Sequence, residues 1–287
     1  MPVSSITYPI STIQDPAERG NRLVAEMNSI EHLTDFAMQA IRDAGEVALS
    51  YYGKRQPDAR FDEELVTEAE LRLSNFFQDQ LAAHFPEHRI FTNHQEDRGY
   101  SHEDERYLWV FDALDGVANF QGGVPIWGMS LALLENSWPV FGTFYMPVTG
   151  DLFHAQAGQK AYRGGHEMHA SSHSEINDES VLLTYSRFHN HYQTSFPGKI
   201  RSLGCTAAHL CYVAGGQADA AVLAHETYQD LAATRVIVEA SGAKIYRMDG
   251  EGFFVNEYLD GKKIDEHLLV AAPEMSALVR ESLILVP

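Results

Sequence analysis

The residues of this chain best suited to chemistry stand together in the segment Asp112-Ala113-Leu114-Asp115-Gly116. An apolar run, residues 107–111, leads into Asp112 and reads as a strand. A strand end sets Asp112 at a rim, and a turn through Ala113 and Leu114 can bring Asp115 back to the same point. The Leu114 carbonyl is then exposed between two carboxylates. Hard oxygen donors of this kind suit Mg²⁺, which binds carboxylates and retains waters. Gly116 lets the backbone approach a ligand closely. The N–H groups of Gly116 and Val117 can face an anion at a helix start. Spacing alone leaves a second reading open, in which Asp-x-x-Asp-Gly is a turn with a capping aspartate.

These residues need elements to hold them. Leu33, Phe36, Ala37, Ala40, Ile41, Ala44, Val47, Ala48 and Tyr51 recur at three-four spacing, which predicts a helix stopped by Gly53. A second helix is expected over residues 68–84, with Thr67 and Glu70 as its capping box and Pro86 beyond its end. Short strands are expected at 89–92 and 107–112. Residues 129–134 and 140–145 read as a hairpin turning at Asn136-Ser137, with a further strand at 152–155. The second half alternates: strand 181–184, buried helix 206–214 closed by Gly215-Gly216, strand 218–223, and a helix from Asp230 to about residue 241. Strands at 244–246 and 268–271 follow, then a helix from Pro273 to about residue 283. Mixed, layered α/β (α+β) architecture is the expectation. A soft seam near residues 150–180 divides the main domain, 31–287, into sub-domains of about 31–165 and 166–287. Residues 1–30, polar and carrying Pro2, Pro9 and Pro16, read as an arm without a secretory signal.

The bulk numbers set limits. Of the 287 residues 45% are hydrophobic, enough for a large core. No apolar run reaches the roughly 18 residues of a membrane span, so no membrane partner is expected. A formal net charge of −19 argues against nucleic acid, whose backbone is held by clustered Lys and Arg. An acidic protein that handles an anion needs local cations, and a bound divalent metal supplies them. Cys205 and Cys211 are the only cysteines; buried free thiols and a reducing cytoplasm are expected. His189, His191, His166, His169 and His173 read as loop residues. Neither a P-loop nor a Gly-x-Ser-x-Gly elbow is present.

The segment Trp109-Val110-Phe111-Asp112-Ala113-Leu114-Asp115-Gly116-Val117-Ala118-Asn119-Phe120 resembles the signature of the inositol monophosphatase family: Trp, two apolar residues, then Asp-Pro-(Ile/Leu)-Asp-Gly-Thr-x-Asn-Phe. The likeness continues through residues 125–165, the block 201–219, Asp230-Leu231-Ala232-Ala233 and Val238-Glu239-Ala240-Ser241-Gly242, and covers roughly residues 31–287. The resemblance implies a layered αβαβα sandwich and an Mg²⁺-dependent phosphomonoesterase, cytoplasmic and homodimeric, acting on a small phosphate ester. It implies metal binding by Asp112, the Leu114 carbonyl, Asp115 and Asp230, with Glu70 near an outer metal. Plain capping roles stay open for Asp230 and Glu70. It assigns the substrate pocket to Gly116, Val117, Gly204, Cys205, Thr206 and Leu223.

Departures from the pattern bear on mechanism. The family's Gly-Glu-Glu tract falls on Thr92-Asn93-His94, so a metal-binding glutamate reads as Asn93. The signature threonine, which orients the attacking water, is Val117, and the signature proline is Ala113. The inositol-binding glutamate is Leu223, and the Trp before the last aspartate is Gln229. His94, Glu96 or Asp97 can replace the lost carboxylate if their loop runs differently. Phosphoryl transfer depends on positioning and charge neutralisation. The alternative expectation is therefore a family member turned to ligand binding or regulation.

Overall fold

A computed structural model describes residues 29–56, 58–91 and 106–286. Two compact units divide the chain, residues 1–37 and 38–287. The described part of the first unit, residues 29–37, falls in the opening stretch of helix Ile30–Leu49.

The second unit contains a seven-stranded sheet in chain order: β1 (Arg89–Ile90), β2 (Tyr107–Asp115), β3 (Gly128–Glu135), β4 (Trp138–Met146), β5 (Asp151–Gln156), β6 (Ala161–Arg163) and β7 (His166–Met168). β1 and β2 run parallel; the later neighbours are antiparallel. The β3–β4 hairpin turns at Asn136 and Ser137, whose φ values of 51° and 66° are those of a two-residue primed turn, matching strand twist. The five-stranded sheet has the order β10 (Lys199–Arg201), β8 (Val181–Thr184), β11 (Ala220–Leu223), β13 (Leu268–Ala271), β12 (Lys244–Arg247). β10, β8 and β11 are parallel, and β13 is antiparallel to both of its neighbours. β9 (Tyr192–Thr194) and β14 (Leu283–Leu285) form a separate pair.

Helices Thr206–Ala214 and Tyr228–Ala240 fill the space between the sheets. Helix Glu63–His84 packs on β2, and helix Pro273–Glu281 on β13 and β11. The αβαβα layering expected from the sequence is the observed one. Helix Tyr228–Ala240 lies on β4 at Gly142, where a Cβ would come within 2.1 Å of the Ala233 carbonyl oxygen. Only glycine permits that approach. One apolar cluster takes residues from both sides of positions 150–180, including Val110, Phe144, Leu210, Ile237 and Val270.

Some local expectations are corrected. The helix expected from residue 68 begins at Glu63: Asp62 is its N-cap, and its side chain accepts the Leu65 N–H at 3.0 Å. Asp62 followed by Glu63 and Glu64 is a stronger start than Thr67, which lies inside the helix, so Glu70 has no capping role. Asp230 does not open its helix. Thr227 does, and Asp230 occupies the third helical position. His189 and His191 lie in a short helix, Phe188–His191, rather than in an exposed loop. Among the other histidines set aside, His169 pairs with Glu167 at 2.9 Å and His173 with Asp219 at 3.2 Å. Cys205 and Cys211 are free and buried.

Candidate active site

β2 and β3 are in register up to the pair Asp112–Ser130, and resume at Asp115–Gly128. Between them three steps of β2 face two of β3, a bulge within the strand, so the strand expected to end at Asp112 runs on to Asp115 and no turn separates the two aspartates. Gly116 then reverses the chain at φ 83° and caps helix Val117–Gly122. A Cβ there would sit 2.9 Å from the Ile126 carbonyl oxygen, so glycine is required by both conformation and space.

Asp115 reaches across to the loop before helix Thr206–Ala214. One carboxylate oxygen accepts the Thr206 N–H at 3.2 Å; the other accepts the Ala207 N–H at 2.5 Å and the Cys205 thiol at 3.3 Å. The first N–H groups of a helix have no intrahelical acceptor, and a carboxylate there also favours the helix dipole. Asp115 thus does for this helix what its own N-cap, Cys205, does not.

Asn119 fixes the same loop, its amide donating to the carbonyls of Ile126 at 2.6 Å and Leu203 at 2.7 Å. Gly204 passes beside it at φ 73°. The Leu203 N–H donates to His209 Nε2 at 3.0 Å, and burial lowers the pKa of that imidazole to about 4. These contacts bring Gly116, Val117, Gly204, Cys205 and Thr206 around Asp115.

Asp230 binds back to the start of its helix. The Thr227 N–H and hydroxyl donate to one of its oxygens at 2.6 and 2.9 Å. The neighbouring Gln229 amide donates to the Phe111 carbonyl of β2, tying this helix to the strand that carries Asp112. Among the described residues Asp112 itself accepts only a long contact from the Leu114 N–H, at 3.4 Å. Burial first, then repulsion from Asp230, Asp115 and Glu70, pushes the Asp112 carboxyl well above the usual range. Burial also raises Asp115 and Asp230, against their hydrogen bonds. Burial alone raises Glu70.

One acidic residue was not singled out by its sequence. Glu226 is buried, accepts the Thr206 hydroxyl at 3.0 Å, and is raised by burial and then by Asp230 and Asp115. Its signal was a glutamate just ahead of the capping residue of the Asp230 helix. Leu223, by contrast, is enclosed in the apolar cluster. Asn93, His94, Glu96 and Asp97 lie outside the described residues.

The donors are chemically apt for a hard divalent cation: carboxylates that repel one another, beside a backbone carbonyl. Their positions are not those of an assembled site. Among the described residues no group of three or more His, Cys, Asp or Glu is arranged to hold a metal ion. Asp115 accepts a single N–H on one of its oxygens, which leaves that oxygen a lone pair for a cation.

Residues 29–279 match the Inositol monophosphatase family. The chain is 29% identical over 233 residues to a histidinol-phosphatase of Chlorobaculum parvum, covering 75% of this chain and 88% of that one. It is 25% identical over 200 residues to the Nus factor SuhB of Buchnera aphidicola, covering 65% and 74%. In fold it is similar to inositol monophosphatase II of Staphylococcus aureus, at a TM-score of 0.71 and 20% identity, covering 87% and 92%. No described helix is long and apolar enough to cross a membrane. With the family model matching residues 29–279, this chain belongs to the inositol monophosphatase family.

Proposed function

We propose that the protein is a metal-dependent phosphomonoesterase that hydrolyses a small phosphorylated metabolite of the inositol-phosphate, sugar-phosphate or nucleotide-phosphate type. The observation that carries this reading is the gathering of Asp112, Asp115 and Asp230, half-buried carboxylates whose desolvation, joined for Asp112 by repulsion from the other two, a divalent cation would relieve. Asp112, the Leu114 carbonyl, Asp115 and Asp230, with Glu70 farther out, would hold Mg²⁺. Bound there, the metal supplies neutralising charge to a phosphoryl group. The backbone of Gly116, Val117, Gly204, Cys205 and Thr206 would position the ester. Val117 offers no hydroxyl to orient water, but Thr206 and Glu226 form a hydroxyl–carboxylate pair beside the aspartates. The relative named histidinol-phosphatase supports a small phosphate ester as substrate. A homodimer and a cytoplasmic location belong to the same reading.

The test is phosphate release from a panel of sugar, inositol and nucleotide phosphates with Mg²⁺ or Mn²⁺. Turnover that depends on added metal is expected. A folded sample inert toward the whole panel sinks the reading.

A second reading, a binding or regulatory protein, is favoured by the engagement of Asp115 with backbone N–H groups and by the apolar side chain at Val117. The likeness to a Nus factor points the same way. It predicts an inert panel, and activity created by Asn93→Glu with Val117→Thr.

A further inference from the structure

Apart from the aspartates, one edge of the five-stranded sheet gathers imidazoles that the proposed reaction does not use. β8 and β11 run parallel, with Thr184 opposite Val222, and β13 enters antiparallel, with Leu268 opposite Leu223. The ends of these strands therefore deliver Tyr185, His225 and His267 to the same edge. Helix Phe188–His191 and β9 add His191 and Tyr192. The carboxyl ends of parallel strands are where open α/β sheets bind ligands. On this edge Glu226 directly follows His225 and bonds Thr206 of the candidate active site.

The cluster is ordered by its tyrosines. The Tyr185 hydroxyl lies 2.7 Å from His191 Nδ1, and the Tyr192 hydroxyl 2.9 Å from His267 Nδ1. The His191 and His267 rings are 5.2 Å apart, and those of His225 and His267 6.3 Å. Burial pushes the Tyr185 phenol up to about 12, so it remains a hydroxyl, able to donate to Nδ1 or to accept from it. In either case the tyrosines take up Nδ1 of His191 and His267 and leave Nε2 as the ring nitrogen free to meet a ligand, a donor to an anion whenever it carries a proton. Among the described residues nothing is bonded to Nε2 of His191 or His267, or to either nitrogen of His225. His225 is also held at φ 68°, a conformation that costs a residue with a Cβ and that collects at ligand sites. The nearby Glu266 carboxylate is engaged by the Tyr258 hydroxyl at 2.8 Å and by Arg247 at 3.5 Å.

We propose that His191, His225 and His267 form a binding site for a second anionic group, a phosphate or a carboxylate, beside the aspartate site. The identity of its ligand rests on the phosphomonoesterase reading: a phosphate ester whose alcohol portion carries a further anion. The anion site itself stands on the imidazole geometry alone.

The test follows the imidazole signals of isotope-labelled histidine by NMR during titration with inorganic phosphate at fixed pH and ionic strength. His191→Gln, His225→Gln and His267→Gln assign the signals. Saturable shifts of these three are expected, both in the unmodified protein and in Asp112→Asn. A charge-assisted hydrogen bond contributes about tenfold or more in affinity, so the double variant His191→Gln/His267→Gln is expected to bind phosphate at least roughly tenfold more weakly. Tyr185→Phe and Tyr192→Phe, which keep the imidazoles and release their orientation, should weaken it less. Shifts linear in phosphate, or equal to those of exposed His189, overturn the site, as does unchanged binding in the double variant. Zn²⁺ binding at the three signals with no response to phosphate overturns it in favour of a metal site. Saturable shifts in a protein inert toward every ester would keep the anion site and remove the phosphatase reading; turnover without shifts would do the reverse.

Discussion

Two walls meet at Glu226, and they are built on opposite terms. On one side Asp112, Asp115 and Asp230 crowd negative charge into half-buried positions, where desolvation raises all three and the other two raise Asp112 further. On the other, His191, His225 and His267 place imidazoles close together, and burial, then the other two rings, lower His267. Each wall is partly met by the protein itself, Asp115 and Asp230 by N–H and hydroxyl donors and His191 and His267 by tyrosine hydroxyls. A metal would answer the charge left on the first wall, and an anionic ester the ring nitrogens left on the second. The contrast extends into the acidic wall. Asp115 is held by backbone N–H groups, whereas among the described residues Asp112 has a single long contact, to Leu114 of its own strand.

The largest effect should come from separating those two aspartates. Asp112→Asn is expected to lower turnover by roughly a hundredfold or more, the scale for removing one preorganised electrostatic group. It should leave the metal-free protein as stable as before or more so at pH 7. A carboxyl whose folded pKa is raised contributes stability below its unfolded pKa and loses it as pH rises through the folded value, and asparagine removes that loss. Asp115→Asn is expected to lower turnover too, and to destabilise by about 2 kcal/mol, because helix N–H groups lose a charged acceptor. Thermal melts with chelator, at pH 7, compare the pair. Equal melting shifts in the same direction would break the distinction.

Next in size is His209, which supports the Leu203–Thr206 loop as a neutral ring. Its pKa falls from 6.5 to about 4 on folding. The unfolded chain therefore takes up this proton first, and stability falls as pH drops from about 6.5 toward 4. The full span corresponds to roughly 3 kcal/mol. Urea melts between pH 7 and 4 should show that slope, and His209→Gln should flatten it. A slope unchanged in the variant would assign it to other groups.

How far the sequence carried the site follows from the same contrast. The layered fold and most of its elements were legible because their apolar periods are clean, as in helix Thr206–Ala214 and strand Val181–Thr184. The segment Asp112–Gly116 was legible because its chemistry is written in consecutive residues, although it forms a bulged strand end and not the expected turn. What depends on contacts between distant segments was not. Nothing in the sequence says that Asp115 serves a helix start some ninety residues later. Glu226 belongs to the acidic wall only because Thr206 meets it. Of the imidazole cluster only His191 was read, as a loop histidine; His225 and His267 carried no signal of their own, and strand register brings those two to one edge while helix Phe188–His191 supplies the third. The capping of helix Glu63–His84 was misplaced for a local reason: two plausible starts compete, and Asp62 with the acidic first turn prevails over Thr67.

Asn119 gives a smaller effect that sharpens the comparison on the side of positioning. Its amide joins Ile126 and Leu203, segments that carry no charge but set where Asp115 and Thr206 meet. Asn119→Ala leaves both carbonyls without that donor and should cost about 2 kcal/mol. Asn119→Asp keeps the size but offers no donor, so it should cost at least as much. In both, the Michaelis constant should rise more than turnover falls, since the loop positions the ester rather than stabilising charge. A loss confined to turnover would place Asn119 with the chemistry instead.

The smallest expected effect lies at Thr227, whose hydroxyl and N–H both address one oxygen of Asp230. Thr227→Ala removes the hydroxyl and the cap but keeps the N–H bond. Loss of a threonine cap costs about 1 kcal/mol. That loss would be structural and the same with or without metal if Asp230 only caps its helix. If Asp230 also serves a cation, freeing its oxygen changes the metal affinity as well as the stability. Measured side by side, a melting shift of the capping size with an unchanged Mg²⁺ or Mn²⁺ titration confines Asp230 to the helix. A shift in the metal midpoint places it with Asp112 on the acidic wall.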